Sequence, residues 1–217
     1  MAHEYPGKLI LFEGPEGAGK STQIKMLAIF LEKIGLNVVT TREPGHATPM
    51  GVKIREMLMD PALPMSHKEE LALFIRGRAN HFDKIVIPAL KAGKIILCDR
   101  SSPSTIAYQH YGRGLNLTDI LVQDAQARRN IDFDLILLLD LDPEVGLARK
   151  KPETRFELEA IEFHKKVRNG YLEQAKNNPD GKWRVIDAAQ SPGAVCLKAW
   201  EEIRAVQAKK KIRRGRR

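Results

Sequence analysis

The run "GPEGAGKS", residues 14–21, constrains this chain more than any other stretch. It fits GxxxxGK[ST] at every fixed position. It follows a short apolar run, "KLILFE" (8–13), and opens an amphipathic segment. In that context glycines let backbone N–H groups turn inward around phosphate oxygens, with a helix N-terminus behind them. Lys20 is placed to reach the β- and γ-phosphates of a nucleotide, and the Ser21 hydroxyl to coordinate Mg²⁺. Gly14, Pro15, Glu16, Gly17, Ala18, Gly19 and Thr22 complete the candidate phosphate loop. Glu16 is the odd member, because a carboxylate is repelled by phosphate unless it points away from it. Taken alone it reads equally as a solvent-facing loop acid paired with a lysine.

Beyond the loop, strand and helix patterns alternate. Ile24, Leu27, Leu31 and Ile34 stand at helical spacing over 20–34, and Gly35 closes that segment. Strands are expected at 8–13, 37–42, 94–100, 134–142 and 183–188. Helices are expected at 50–58, 67–91, 103–111, 118–129, 143–150, 157–177 and 192–208. Five short apolar strands separated by helices predict an α/β P-loop fold: a five-stranded parallel sheet with helices on both faces. No linker or repeat interrupts it, so 1–208 reads as one domain. Ligands in such folds sit at the carboxyl ends of the strands. That rule gathers residues 13–21, 42–45 and 99–100 at one edge.

Composition narrows the class. With 217 residues, 43% of them hydrophobic and 29% charged, the chain can bury a core without a disulfide or metal staple. Cys98 and Cys196 lack CxxC spacing and read as reduced thiols. No apolar run reaches the length of a membrane span, and "MAHEYPG" offers no cleavable hydrophobic segment, so a cytoplasmic protein is expected. The last nine residues, "KKKIRRGRR" (209–217), carry seven basic groups; without them the formal charge falls from +9 to +2. That block reads as a solvated, disordered tail, or as a weak, salt-sensitive contact with nucleic acid. A GTPase would need NKxD. The nearest string, "NNPD" (177–180), lacks the lysine, and the chain is short for a motor ATPase. A small kinase is the simplest class left.

A kinase must clamp its acceptor as well as its donor, and arginine suits this by binding phosphate bidentately. Arg42 and Arg100 fall at the sheet edge, with Arg76 and Arg78 on the helical stretch 67–91. Asp99 ends a hydrophobic strand, where a carboxylate can hold Mg²⁺ through water or simply cap a helix. "TREPG" after the second strand, "LFIRGRA" (73–79), "DRSSPSTIAYQ" (99–109) and "FHKKVRNGYLE" (163–173) join the phosphate loop in a combination that resembles thymidylate kinase from about residue 8 to 190.

The resemblance implies transfer of the γ-phosphoryl of MgATP to dTMP, and a homodimer. By motif position it implies that Phe74, otherwise readable as a core phenylalanine, stacks on thymine. Arg78, Thr105 and Gln109 would read the base edge. Tyr108 would press on the sugar, and Glu16 would take the sugar 3′-hydroxyl. Arg100 would bind the acceptor phosphate with Arg42 and Arg55 nearby, and Glu43 would belong to the same site. Some family members carry an arginine beside the loop acid. This chain has Gly17, and the bacterial branch supplies the missing charge from a lid, here "ARKKPETRFE" (148–157). Arg149 and Arg155 are the favoured lid residues, with Lys150 and Lys151 as substitutes; a solvated basic loop is the plain alternative. Three positions depart from the family pattern: His46, Ser101 and Thr154. An acid-Arg-Ser triplet like that ending in Ser101 also occurs in deoxynucleoside kinases, so a deoxynucleoside kinase or another nucleoside-monophosphate kinase is the alternative reading.

Overall fold

A computed structural model describes residues 3–45, 47–149, 151 and 153–214, with the side chains of the last helix as far as 206. Strand β1 (Lys8–Glu13) lies at the centre of a five-stranded sheet. β2 (Val38–Arg42), β3 (Ile95–Asp99), β4 (Leu135–Asp140) and β5 (Trp183–Asp187) join it in the order β2-β3-β1-β4-β5, all parallel. The chain leaves β1 for the edge, returns to its flank as β3, then crosses to the other side as β4. That reversal beside β1 is the crevice where such sheets bind ligands. Register sets Phe12 and Arg42 level with Asp99, so the chemistry-bearing ends of three strands meet.

The period-2 alternation of buried strands divides the core into two layers. Ile10 and Phe12 of β1 join Ile95, Leu97, Leu135, Leu137 and Leu139 on one face. Helix α1 (Lys20–Lys33) covers it with Ile24, Leu27 and Leu31, and α9 (Pro192–Arg214) with Val195, Ala199 and Ile203. Ile34, expected on the same stripe, caps α1 and is 49% exposed. Leu9, Leu11, Ile96 and Cys98 face the other way, against Phe82, Val86 and Leu90. These sit on the expected 67–91 helix, which comprises α3 (His67–His81), a π-helical turn (Phe82–Val86) and α4 (Ile87–Lys91).

Helix ends are fixed by local chemistry. Thr48 accepts the Gly51 N–H and Pro49 occupies the first turn of α2 (Pro49–Met59). Ser66 and Glu69 form a capping box that starts α3. The stretch after β3 folds as α5 (Ser102–Thr105) passing into a π-helix (Ile106–Gly112), followed by α6 (Leu117–Ala127). After β4 come α7 (Pro143–Ala148) and α8 (Ile161–Lys176). α8 begins later than expected. In the preceding turns the Glu157 carboxylate accepts the N–H groups of Glu153 and Thr154, and Ala160 then takes an extended backbone (φ −61°, ψ 153°) that separates these turns from the helix. α9 runs to Arg214, past the expected end at 208, in keeping with the good helix propensity of Lys and Arg and their favourable place at a helix C-terminus. His46, Lys150 and the tail residues 215–217 lie outside the described residues. Among the described residues no helix is long and apolar enough to cross a membrane. Both cysteines are free thiols, Cys98 buried and Cys196 half-buried.

α8 packs against the π-helix so closely that a Cβ at Gly170 would meet the Tyr111 ring at 2.7 Å. Helix propensity alone would favour alanine there by about 1 kcal/mol. Overpacking against a ring that cannot swing aside costs roughly 1–3 kcal/mol. Gly170→Ala is therefore expected to lower stability, by ~1 kcal/mol net, against the sign of the helix scale; urea denaturation of the pair measures it.

Candidate active site

The phosphate loop turns on glycines with positive φ at 14, 17 and 19, at 138°, 70° and 84°. In it Lys20 is buried, and its Nζ donates to the carbonyls of Gly14 (2.9 Å) and Pro15 (2.8 Å). Burial, with Arg100 nearby, lowers its pKa to about 8, although Glu16 and Asp99 pull the other way. Ser21 Oγ donates to Asp99 Oδ2 at 2.8 Å, and Arg42 donates to the same oxygen at 2.9 Å. Burial pushes the Asp99 carboxyl upward, but Lys20, Arg100 and Arg42 outweigh it and hold it below the usual range. Its other oxygen, Oδ1, is buried with no hydrogen-bond partner among the described residues. A hydroxyl and a carboxylate with one oxygen unclaimed are hard donors of the type Mg²⁺ takes. Thr22 is exposed beside them.

Arg100 ties the two halves of the site together. Its backbone is left-handed at φ 68°, unusual for a residue with a Cβ. Its Nη1 donates to Gly14 O (3.0 Å), Ser104 Oγ (3.3 Å) and Tyr171 OH (2.9 Å); Nη2 donates to Glu16 Oε1 (2.8 Å). The guanidinium also lies 5.2 Å from the Tyr108 ring centroid. Tyr108 donates its hydroxyl to the same Glu16 oxygen at 2.8 Å. Glu16 thus turns its side chain toward Arg100 and Tyr108, although its backbone belongs to the phosphate loop.

Beyond Arg100 opens a cavity. Glu16, Arg42, Glu43, Arg55, Phe74, Arg78, Arg100, Thr105, Tyr108 and Gln109, all expected from the sequence, line it. Arg55, on α2, has no hydrogen bond or ion pair among the described residues; burial and the charges of Arg42 and Arg100 depress its pKa. Phe74 packs against Phe156 with ring centroids 5.9 Å apart. Arg78 is fully buried and donates to Glu43 (2.7 Å), Asp124 (2.7 Å) and Thr105 (2.9 Å). Burial raises the Glu43 carboxyl, yet Arg78 and His81 together hold it low. Arg76, a candidate on the same helix, is exposed and does not line the cavity.

The lid residues separate. Arg149 donates to Gly17 O at 2.8 Å, so it stands on the phosphate loop. A Cβ at Gly17 would fall 2.0 Å from the carbonyl oxygen of Gly146 in α7, which explains why that loop position carries no side chain here. Arg155 instead donates to the carbonyls of Asp60 (2.8 Å) and Leu63 beyond the end of α2. It is not brought to the phosphate loop, because its own N–H is bound to Met59 O at 3.1 Å. Lys151 is exposed, and Thr154, Phe156 and Glu157 wall the cavity.

Several contributors were missed from sequence. Ser104 lines the cavity, and beneath it lies Glu13, wholly buried, accepting from Ser101 N (2.7 Å), Ser104 Oγ (2.6 Å) and Tyr171 OH (3.2 Å). The one available signal was the acid that ends the apolar run "KLILFE". Ser101, a departure from the family pattern, also donates its hydroxyl to Glu43 Oε1 at 3.1 Å, in a buried slot that a small side chain fits.

A parallel sheet of this order, a phosphate loop at its central strand and a cavity lined by four arginines beside it define a P-loop kinase fold. The thymidylate kinase family profile matches residues 12–198. A thymidylate kinase of Nostoc punctiforme is 44% identical over 195 residues, covering 87% of this chain and 92% of that protein. Those of Carboxydothermus hydrogenoformans and Solidesulfovibrio magneticus are each 42% identical, covering 86% and 88% of this chain and 91% and 96% of theirs. The chain belongs to the thymidylate kinase family.

Burial raises the Glu13 pKa to about 7 from 4.5, against the opposing pull of Ser104 and Arg100. A carboxyl raised on folding binds its proton more tightly in the folded state, so stability falls as pH rises from 4.5 to 7 and is level above that. Glu13→Gln removes this dependence. The stability of the natural chain relative to the variant is expected to drop by about 3 kcal/mol across that window, using ~1.4 kcal/mol per pKa unit. Denaturant unfolding at pH 5 and pH 7.5 checks it, and a constant difference would sink the assignment.

Proposed function

We propose that this chain transfers the γ-phosphoryl group of MgATP to dTMP, giving dTDP and ADP. The observation that carries the acceptor half is Arg55: a guanidinium with no hydrogen-bond or ion-pair partner among the described residues, beside Arg42 and Arg100, in a cavity next to the phosphate loop. Arg42 and Arg100 already have carboxylate partners in Asp99 and Glu16, so Arg55 adds a positive charge in excess of them, and an acceptor phosphate would balance it. An acceptor lacking phosphate, as for a deoxynucleoside kinase, leaves that charge unbalanced.

In this reading an oxygen of the dTMP phosphate attacks the γ-phosphorus, the bond to the β-phosphate oxygen breaks, and ADP leaves. Catalysis of this step is positioning and charge stabilisation. Lys20 serves the β- and γ-phosphates, and its contacts with the Gly14 and Pro15 carbonyls give way to them. Ser21 and Asp99 would hold Mg²⁺, which neutralises phosphate charge when bound. Arg100 and Arg42 orient the acceptor phosphate. Phe74 stacks on the base, Arg78, Thr105 and Gln109 read its edge, and Tyr108 and Glu16 meet the sugar. Arg149, already on the loop, supplies the charge absent at Gly17, and Arg155 anchors the segment that walls the cavity. The proposal includes a homodimer, a cytoplasmic location and a basic end, 209–217, that takes no part in turnover.

A coupled ADP-release assay across dTMP, dUMP, CMP and thymidine tests the reading. Turnover is expected to be highest with dTMP; faster turnover of thymidine would overturn it. The lid assignment gives a second expectation. Arg149→Ala should lower kcat by 10²-fold or more with little change in dTMP KM, because the charge it opposes develops during transfer. Arg155→Ala should chiefly raise dTMP KM. Equal kcat losses in the two variants would refute the division.

A further inference from the structure

One residue of the cavity carries a buried acceptor that none of the described residues claims. Gln109 is fully buried, and its Oε1 has no hydrogen-bond partner among the described residues. The other end of the amide is occupied: Nε2 donates to Glu70 Oε1 at 3.0 Å. Glu70, on α3, is 2% exposed. Its carboxylate is held from the far side by Arg113, whose Nε and Nη2 lie 3.3 Å from its two oxygens. Arg113 is fixed in turn by an ion pair with Glu159 at 2.6 Å, and by the Phe163 ring, whose centroid is 4.5 Å from the guanidinium.

These contacts form a one-way relay. A guanidinium only donates and a carboxylate only accepts, so the Gln109 amide must present N–H to Glu70. Flipping it would set two oxygens face to face in a buried place, where an unmade hydrogen bond costs about 1–3 kcal/mol. The orphan oxygen is what remains for a ligand, and a base that donates there satisfies it. Pyrimidines differ at that edge. A uracil-type ring carries a hydrogen on N3, whereas a cytosine-type ring has a bare acceptor.

We propose that Glu70 is a positioning residue for base selection: by holding the Gln109 amide with its oxygen free, it makes the cavity favour a pyrimidine with an N3–H over one without. This rests on the cavity being the acceptor-nucleotide site. Glu70 does not touch the base and acts through Gln109.

The test compares kcat/KM for dTMP and for 5-methyl-dCMP, which keeps the methyl group and changes only the pairing edge. Glu70→Gln lets the residue at 70 accept or donate, so the Gln109 amide is no longer held one way. The preference for dTMP is expected to fall at least tenfold without inverting, because Arg78 still donates to the base edge. Glu70→Asp, still only an acceptor, should keep the preference even where turnover drops. Gln109→Met should lower it by a similar factor, and Glu70→Gln added to Gln109→Met should change it no further. Equal loss of both substrates in Glu70→Gln, or an undiminished effect in the Gln109→Met background, overturns the proposal. Should Glu70→Gln not fold, Gln109→Met carries the test: a tenfold fall supports the proposal and an unchanged preference overturns it. Absence of dTMP turnover in the natural chain would instead remove the functional reading itself.

Discussion

The guanidinium of Arg100 is the contact on which the site depends. It reaches the Gly14 carbonyl and the Glu16 carboxylate of the phosphate loop, and Tyr171 of α8 on the other side. To do so it leaves β3 with a left-handed backbone, a conformation that costs roughly 1–2 kcal/mol for a residue with a Cβ. That cost persists only because the surroundings offset it. Its N–H is held by Phe12 O at 3.0 Å, and the Glu13, Ser104 and Tyr171 cluster packs beneath the side chain. Phosphate loop and cavity are thereby fixed to one another through a single side chain, and the transfer proposed above, between two bound phosphates, needs that fixed spacing.

The division of labour in the lid follows from two backbone attachments. Arg149 ends α7 and falls on the Gly17 carbonyl because α7 itself packs against the loop. Arg155 lies six positions on, where the carbonyls of Asp60 and Leu63 collect it. One basic stretch in the sequence thus serves two places. Charge count alone did not separate them, because composition says which residues a segment has and nothing about where its backbone is tied.

What could be read from the sequence was what is local or periodic. The phosphate loop is contiguous, the strands are short and apolar, and the rule that ligands gather at strand ends brought Arg42, Asp99 and Arg100 together without coordinates. Arg55 as an expected clamp and the expected base-edge residues came from motif resemblance, and the structure places all of them on one cavity. The supporting contacts were not legible. Glu13 meets Tyr171 across 158 positions, Glu70 meets Gln109 across 39, and Arg78 meets Asp124 across 46. No spacing rule links such pairs, since they exist only once helices have docked on the sheet. Helix boundaries failed where the backbone turns extended at a residue that gives no local signal, as at Ala160 before α8.

The mutual approach of Gly17 and Gly146 bears on how such a site changes over time. A Cβ at either position would fall about 2 Å from a carbonyl oxygen of the other segment, Gly146 O in one case and Glu16 O in the other. Neither glycine can acquire a side chain while its partner segment stays in place. An arginine at 17 demands that α7 first retreat, and that retreat carries off Arg149. If Arg149 supplies the transfer charge as proposed, moving that charge from lid to loop is therefore not a one-step substitution: between the two arrangements lies a form with neither charge, a valley that would hold the two apart more firmly than their similar chemistry suggests.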